Sequence, residues 1–135
     1  MMNLLRWDVP HLPLRGTVIR ESISSQLKVQ RRKKMAAYLV VNYRINNAEG
    51  IAKYREAVDP QLQKAGCELL VANDDVEVIE GSPAPTVVVL KFKSFEAAKN
   101  WYNSPEYQAV KHLRLNATTD GWIALSEGFQ MPESG

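Results

Sequence analysis

Residues 36–129 alternate short stretches that are apolar on both sides with longer ones that are apolar along a single side. The first short stretch, AAYLVVNYRI at 36–45, reads as a strand, with Tyr38, Val40 and Asn42 on one face and Leu39, Val41, Tyr43 and Ile45 on the other. Asn46 and Asn47 then supply a turn and a helix N-cap. Ile51, Tyr54, Ala57 and Val58 recur at the spacing of a helix with one buried stripe. Pro60 is expected to kink or restart this helix, with Asp59 as the new cap and Leu62 continuing the stripe. Ala65-Gly66 ends it, because glycine tolerates the left-handed conformation found at helix C-termini. A second strand, CELLVA, follows at 67–72. Beyond the turn Asn73-Asp74-Asp75, VEVIE at 76–80 alternates as a strand does, so 67–80 is either a hairpin or one long bulged strand.

After a stiff Gly-Pro loop at 81–85, TVVVLKF at 86–92 is β-branched, broken only by Lys91 and too short for a helix core, which predicts a strand buried on both faces. Ser94 is the next N-cap, with Glu96 in the first turn where negative charge meets the positive helix end; that helix runs to about Tyr102. Ser104-Pro105-Glu106 repeats the start signal: a hydroxyl cap, a proline whose missing N–H costs nothing at the first helical position, and an acid. The helix that follows is expected to stop at Arg114 or Leu115, with a polar loop at 116–120 and a last strand, GWIALSEGF, at 121–129.

The resulting order β-α-β-β-α-β predicts an α+β fold, a ferredoxin-like sandwich whose four-stranded antiparallel sheet carries its helices on one face. Such a sheet usually leaves its other face wet and polar. Here the strands at 36–45 and 86–92 are apolar on both faces, and stacking the second face on the same face of another copy would keep it from water. The expected assembly is therefore a homodimer paired sheet to sheet, a dimeric α+β barrel.

Length and charge refine this. At 135 residues the chain suits one core, and no window approaches the roughly 18–20 continuous apolar residues of a membrane span. The net charge of +2 hides a division: residues 1–34 hold eight Lys/Arg against Asp8 and Glu21, whereas the remainder has nine Lys/Arg against thirteen acids. The domain itself is thus mildly acidic, which argues against nucleic acid as a partner. The head at 1–34, with Pro10, Pro13 and Gly16 and no sustained period, reads as a disordered or extended basic tail, explained by a start codon assigned too early. Its rival is a mitochondrial transit peptide, whose amphipathic helix the prolines would interrupt. Residues 35–130 form the ferredoxin-like domain and 131–135 a loose tail. The single cysteine, Cys67, has no disulfide partner, which points to the cytoplasm.

Glu80-Gly81, Phe92, Ser94-Phe95-Glu96-Ala97-Ala98, the run Trp101-Tyr102-Asn103-Ser104-Pro105-Glu106-Tyr107-Gln108, and Arg114 together resemble the family called domain of unknown function 1330. The resemblance covers Met35 to about Phe129 and implies the dimeric α+β barrel superfamily; it implies no established activity. Other members of that superfamily, among them cofactor-free monooxygenases of polyketide quinones, lactone isomerases and haem enzymes, are similar to this chain in fold only, and fold does not fix function.

Candidate chemistry is sparse. Two histidines and one cysteine give no metal-ligand spacing, and isolated glycines give no phosphate cradle, so no metal and no cofactor are expected. What remains is a polar set at the helix–sheet interface: Glu80, Tyr102, Tyr107, Arg114, Tyr43 and His112. Tyrosine and histidine can move a proton on an enol or phenol, and arginine can hold a carboxylate through parallel hydrogen bonds. His112 and Arg114 point about 200° apart on a helix, whereas Tyr107 and Arg114, seven apart, share a face, so Arg114 is the expected pocket residue. Each residue has a plainer reading as well. Ser94, Ser104, Pro105 and Glu106 serve as helix caps, Tyr102 and Tyr107 as amphipathic packing, and Arg114 as a last-turn cation. Glu80 is either the buried partner of Arg114 or a solvated acid. Two functions follow: a small dimeric protein that binds or transforms an aromatic or oxoacid molecule without metal, and a dimeric structural module without chemistry. An enclosed cavity with Arg114 or Glu80 exposed into it separates the first from the second.

Overall fold

The two stretches that are apolar on both faces occupy the middle of the sheet. In the computed structural model, which describes Gln26 and residues 35–129, β1 (Ala37–Ile45) is followed by α1 (Ala48–Lys64), β2 (Glu68–Asn73) and β3 (Thr86–Phe92). Then come α2 (Phe95–Tyr102), α3 (Pro105–Ala117) and β4 (Thr118–Glu127). The strands form one antiparallel sheet in the order β2-β3-β1-β4, so β1 and β3 are central and flanked on both sides. This is the ferredoxin-like plan, its second crossover built from two short helices. The readings of residues 1–34 and 131–135 lie outside the described residues.

Register divides the sheet into two faces. Leu39 pairs with Leu90 and Leu125, and Val41 with Val88 and Ile123, all under the helices. There they join Ile51, Tyr54 and Val58 of α1 and Ala98, Trp101, Tyr107 and Ala117 of α2 and α3 in a single core. On the opposite face Val40 pairs with Val89 and Ala124, and Asn42 with Val87 and Trp122. Val40, Val87 and Val89 are only half-buried, and Trp122 is exposed.

The capping chemistry follows the residues. Asn47 Oδ1 accepts from the Gly50 N–H at 3.0 Å, Ser94 Oγ from Ala97 at 3.0 Å and Ser104 Oγ from Tyr107 at 3.2 Å, and Pro105 opens α3 with Glu106 in its first turn. Gly66, at φ +72°, ends α1 in the left-handed region.

Three local expectations need correction. The helix α1 passes through Pro60 without a restart: Val58 and Leu62 pack on the core on either side of it, and Gln63 Nε2 donates to Asp59 at 3.3 Å, so packing offsets the one lost backbone bond. Residues 76–80 are not a strand: Asn42 and the Val76–Pro85 hydrogen bond hold 74–85 as a loop, and the outer edge of β2 is left unpaired. The helix α3 continues to Ala117, and β4 begins at Thr118 with no loop between. Buried Ala117 accepts from the Asn46 N–H at 2.9 Å, and Thr118 Oγ1 closes the helix on Arg114 O at 2.8 Å. The strand β2 is exposed along its whole length, being an edge strand on which α1 does not close down.

The 74–85 loop is fastened by Asn42. This side chain, 2% exposed, donates to Ala84 O at 2.9 Å and Thr86 O at 2.8 Å and accepts from the Ala84 N–H at 3.1 Å. The Val76 N–H bonds Pro85 O at 3.0 Å, closing the loop on itself.

Candidate functional site

Because α1 stands off from the edge of the sheet, a cavity of about 500 Å³ opens between them, within the roughly 300–1,000 Å³ range of small-molecule sites. Its floor is the helix side of the central strands, with Leu39, Val41, Val88 and Leu90. Its rim is formed by half-buried Arg55 and exposed Glu56 and Asp59 of α1 and exposed Leu69 and Ala72 of β2. Its inner end holds Tyr54, Trp101, Tyr107 and Arg114.

At that inner end, three polar groups from two helices meet. Tyr54 and Tyr107 hydroxyls are 2.9 Å apart, and Arg114 Nε donates to the Tyr107 oxygen at 3.3 Å. The α3 period places Tyr107 and Arg114 two turns apart on one face, and aromatic packing holds Tyr107, whose ring centroid is 4.3 Å from Trp101 and 5.2 Å from Tyr102. Burial first, and the Tyr107 hydroxyl second, push Tyr54 well above the usual phenol value, so it keeps its proton. For Arg114, burial opposes the charge, but the oxygens of Tyr107 and Tyr54 more than offset it, and its pKa lies above the usual value. Arg114 is only 6% exposed and forms no ion pair with a carboxylate among the described residues.

The hydrogen count shows what this cluster can accept. One phenol hydrogen is shared between Tyr54 and Tyr107, which leaves one O–H over, and Arg114, bonded through Nε to Tyr107 and interacting with the Tyr54 oxygen as well, has no carboxylate acceptor among the described residues. A guanidinium edge beside a phenol O–H offers parallel donors to a carboxylate, an enolate or a phenolate oxygen.

A second polar group sits at the rim. Arg55 clasps Asp74 with Nη1 at 3.2 Å and Nη2 at 2.8 Å, and Nη2 also donates to Tyr43 OH at 3.3 Å. Thr86 Oγ1 donates to the same Asp74 oxygen at 3.1 Å. The Arg55 hydrogen bonds hold the Asp74 carboxyl below the usual carboxylate range, against the effect of burial.

Of the residues expected from sequence, Tyr107, Arg114 and Tyr43 line the cavity and Glu80 and Tyr102 do not. Glu80 is exposed in the 74–85 loop, and Tyr102 packs on Tyr107 with Lys111 Nζ 5.4 Å from its ring. His112 is exposed, on the far side of α3 from Arg114. Sequence reasoning took Tyr54 for core packing and passed over Arg55 and Asp74. The Tyr54 hydroxyl on an otherwise apolar stripe was a usable signal; the Arg55–Asp74 pair spans a helix and a loop and left none. Burial pushes the half-buried Cys67 thiol up to about 11, which makes it a poor nucleophile. Among the described residues no cluster of His, Cys, Asp and Glu could hold a metal, and no helix is long and apolar enough to cross a membrane.

An antiparallel four-stranded sheet with helices on one face, and an apolar cavity with a cationic inner end between the layers, define a ferredoxin-like α+β protein with a candidate anion site. Solved structures share the plan at low identity. A protein of unknown function from Rhodopseudomonas palustris is 14% identical with a TM-score of 0.64, covering 82% of this chain and 95% of its own. A hypothetical Arabidopsis thaliana protein is 11% identical with a TM-score of 0.56, covering 76% and 96%. A dimeric ferredoxin-like protein of unknown function from Thermobifida fusca is 12% identical with a TM-score of 0.51, covering 70% and 92%. No curated protein matches the sequence. The chain belongs to the family described as Domain of unknown function (DUF1330), whose profile matches residues 36–128.

Proposed function

We propose that the protein is a homodimer that binds, and assists proton transfer on, a compact aromatic or oxoacid molecule held as its anion in the cavity under α1. The observation that carries this reading is Arg114: a guanidinium 6% exposed, at the inner end of an apolar cavity, with no carboxylate partner among the described residues. A buried charge left unpaired costs several kcal/mol, and an anionic ligand would supply the missing partner. The remaining O–H of the Tyr54–Tyr107 pair would donate to an oxygen of that ligand, a position suited to a general acid. The open cavity favours this over a purely structural module, whose helix–sheet interface would be filled. The lone cysteine is consistent with a cytoplasmic protein.

A thermal-shift screen of the full chain against small aromatic and oxo acids is expected to return compounds that raise the melting point saturably, because a ligand that binds only the folded state stabilises it by mass action. If a Tyr107→Phe/Arg114→Gln variant responds to every compound as the parent does, the proposed lining is wrong.

The dimer rests on the other face. Tyr38, Val40, Val87 and Val89 of the central strands and Val71 and Trp122 of the flanking ones point away from the helices, and a continuous apolar face of this kind ordinarily finds a partner. The Thermobifida relative, similar in fold, is itself dimeric. Val89→Glu puts a charge at the middle of that face. The expected result is a dimer of the parent and a monomer of the variant by sedimentation velocity at low micromolar concentration. Equal sedimentation of the two would remove the sheet-to-sheet interface.

A further inference from the structure

Among the described residues the cavity touches two guanidinium groups, and only Arg114 is free of a carboxylate. We infer that Asp74 sets the charge selectivity of the cavity: by filling the Arg55 fork it leaves Arg114 as the sole open guanidinium, so that compact monoanions enter and dianions are refused. The inference rests on the cavity being the ligand site, as proposed above.

The arrangement at the rim supports it. The Arg55–Asp74 clasp is bidentate, and Asp74 is braced from a second direction by Thr86 Oγ1. Asn73 Oδ1 accepts from the Asp75 N–H at 2.8 Å, a side-chain turn around Asp74 that sets where its carboxylate emerges. The third Arg55 contact, to Tyr43 OH, uses up a further donor direction. A carboxylate arriving at the rim would therefore have to displace Asp74 from a charge-assisted pair. Glu56 and Asp59 add negative charge at the same rim, and no free cation among the described rim residues offsets them. The potential thus runs from negative at the mouth to positive at the inner end. One acid group is drawn to Arg114, while a second on the same rigid molecule would be left facing carboxylates. The body between them would lie on Leu39, Val41, Val88 and Leu90, which offer it no polar contact.

The test uses two probes of matched shape, 4-methylbenzoate and terephthalate, titrated calorimetrically into the full chain. The parent is expected to bind the monoanion at least about tenfold more tightly than the dianion, as befits one charge-assisted pair gained or opposed. Asp74→Asn keeps an acceptor for Thr86 and alters a side chain that is 49% exposed, so the fold should stand. It should strengthen terephthalate binding about tenfold and leave 4-methylbenzoate within about twofold, one charge-assisted contact being gained for the dianion alone. The double variant Asp74→Asn/Arg55→Gln should restore the parent's discrimination, which a merely structural role for Asp74 would not do. If 4-methylbenzoate binding depends on Arg114 but Asp74→Asn leaves the ratio unchanged, the role of Asp74 is overturned and the cavity reading survives. If the parent binds neither probe, both readings fall.

Discussion

Replacing Arg114 with methionine is expected to make the protein more stable and unable to hold an acid. In the folded chain this guanidinium is 6% exposed and bonded through Nε to a phenol oxygen 3.3 Å away, with no carboxylate partner among the described residues. Swapping buried ion pairs for apolar residues of similar volume is often neutral or stabilising by about 1–4 kcal/mol, and here no carboxylate among the described residues would be left behind. Against this stands the loss of a last-turn cation from α3, about 0.3–1 kcal/mol. Tyr107 keeps its bond to Tyr54 and so is not stranded. The net should be a gain of about 1–3 kcal/mol, or a rise of at least about 4 °C in the melting point of a domain this size. For any acid that stabilises the parent, removing the charged partner should cost about 2–5 kcal/mol of binding, which is a loss of at least about thirtyfold. Melting curves with and without ligand measure both. A variant that melts well below the parent would show that Arg114 holds the helix to the sheet, and the ligand reading would lose its main support.

The second large effect lies on the other side of the sheet. Asn42→Ala is expected to cost about 3–4 kcal/mol, since it strands the Ala84 N–H and the carbonyls of Ala84 and Thr86 in a buried setting where each unmet group costs about 1–3 kcal/mol. Full summation is not expected, because the 74–85 loop can lift and admit water to some of these groups. That lifting gives a local signature: in hydrogen exchange the Ala84 amide should lose its protection while Leu39 and Val41, in the middle of β1, keep theirs relative to global unfolding. The same loop carries Asp74, so the Arg55 clasp should loosen with it. A loss below about 1 kcal/mol would mean that Asn42 is not what fastens the loop.

The two substitutions divide the molecule in a useful way. Arg114 is expected to cost stability and lines the cavity, the relation expected of a binding group. Asn42 is expected to supply stability and does not line this cavity, the relation expected of a structural residue.

Much of the fold was legible in the residues because its signals are local. The two-sided apolar runs at 36–45 and 86–92 mark strands, and the structure places both in the middle of the sheet. Ser94, Ser104-Pro105 and Ala65-Gly66 mark helix ends, since caps act within one turn. Tyr107 and Arg114 were legible as a pair for the same reason: their seven-residue spacing is a property of one helix. The errors fall where a distant partner overrides a local rule. Pro60 did not restart α1 because the core holds both sides of it. VEVIE at 76–80 did not form a strand because Asn42 of β1, 42 residues from its partner Ala84, ties the 74–85 segment down as a loop, and no alternation of residues reports such a distant tie.

The amino-acid sequence by itself therefore determined the order of elements, their caps, and the arginine that faces inward. Only the tertiary structure decided that Tyr54 joins Tyr107 across 53 residues, that Arg55 closes on Asp74, and that α1 leaves an open cavity over the sheet. The physical reason is range. Periodicity and capping are set within a few residues of chain, whereas hydrogen bonds between layers, and the space left between them, depend on how whole elements stack after their faces have been buried.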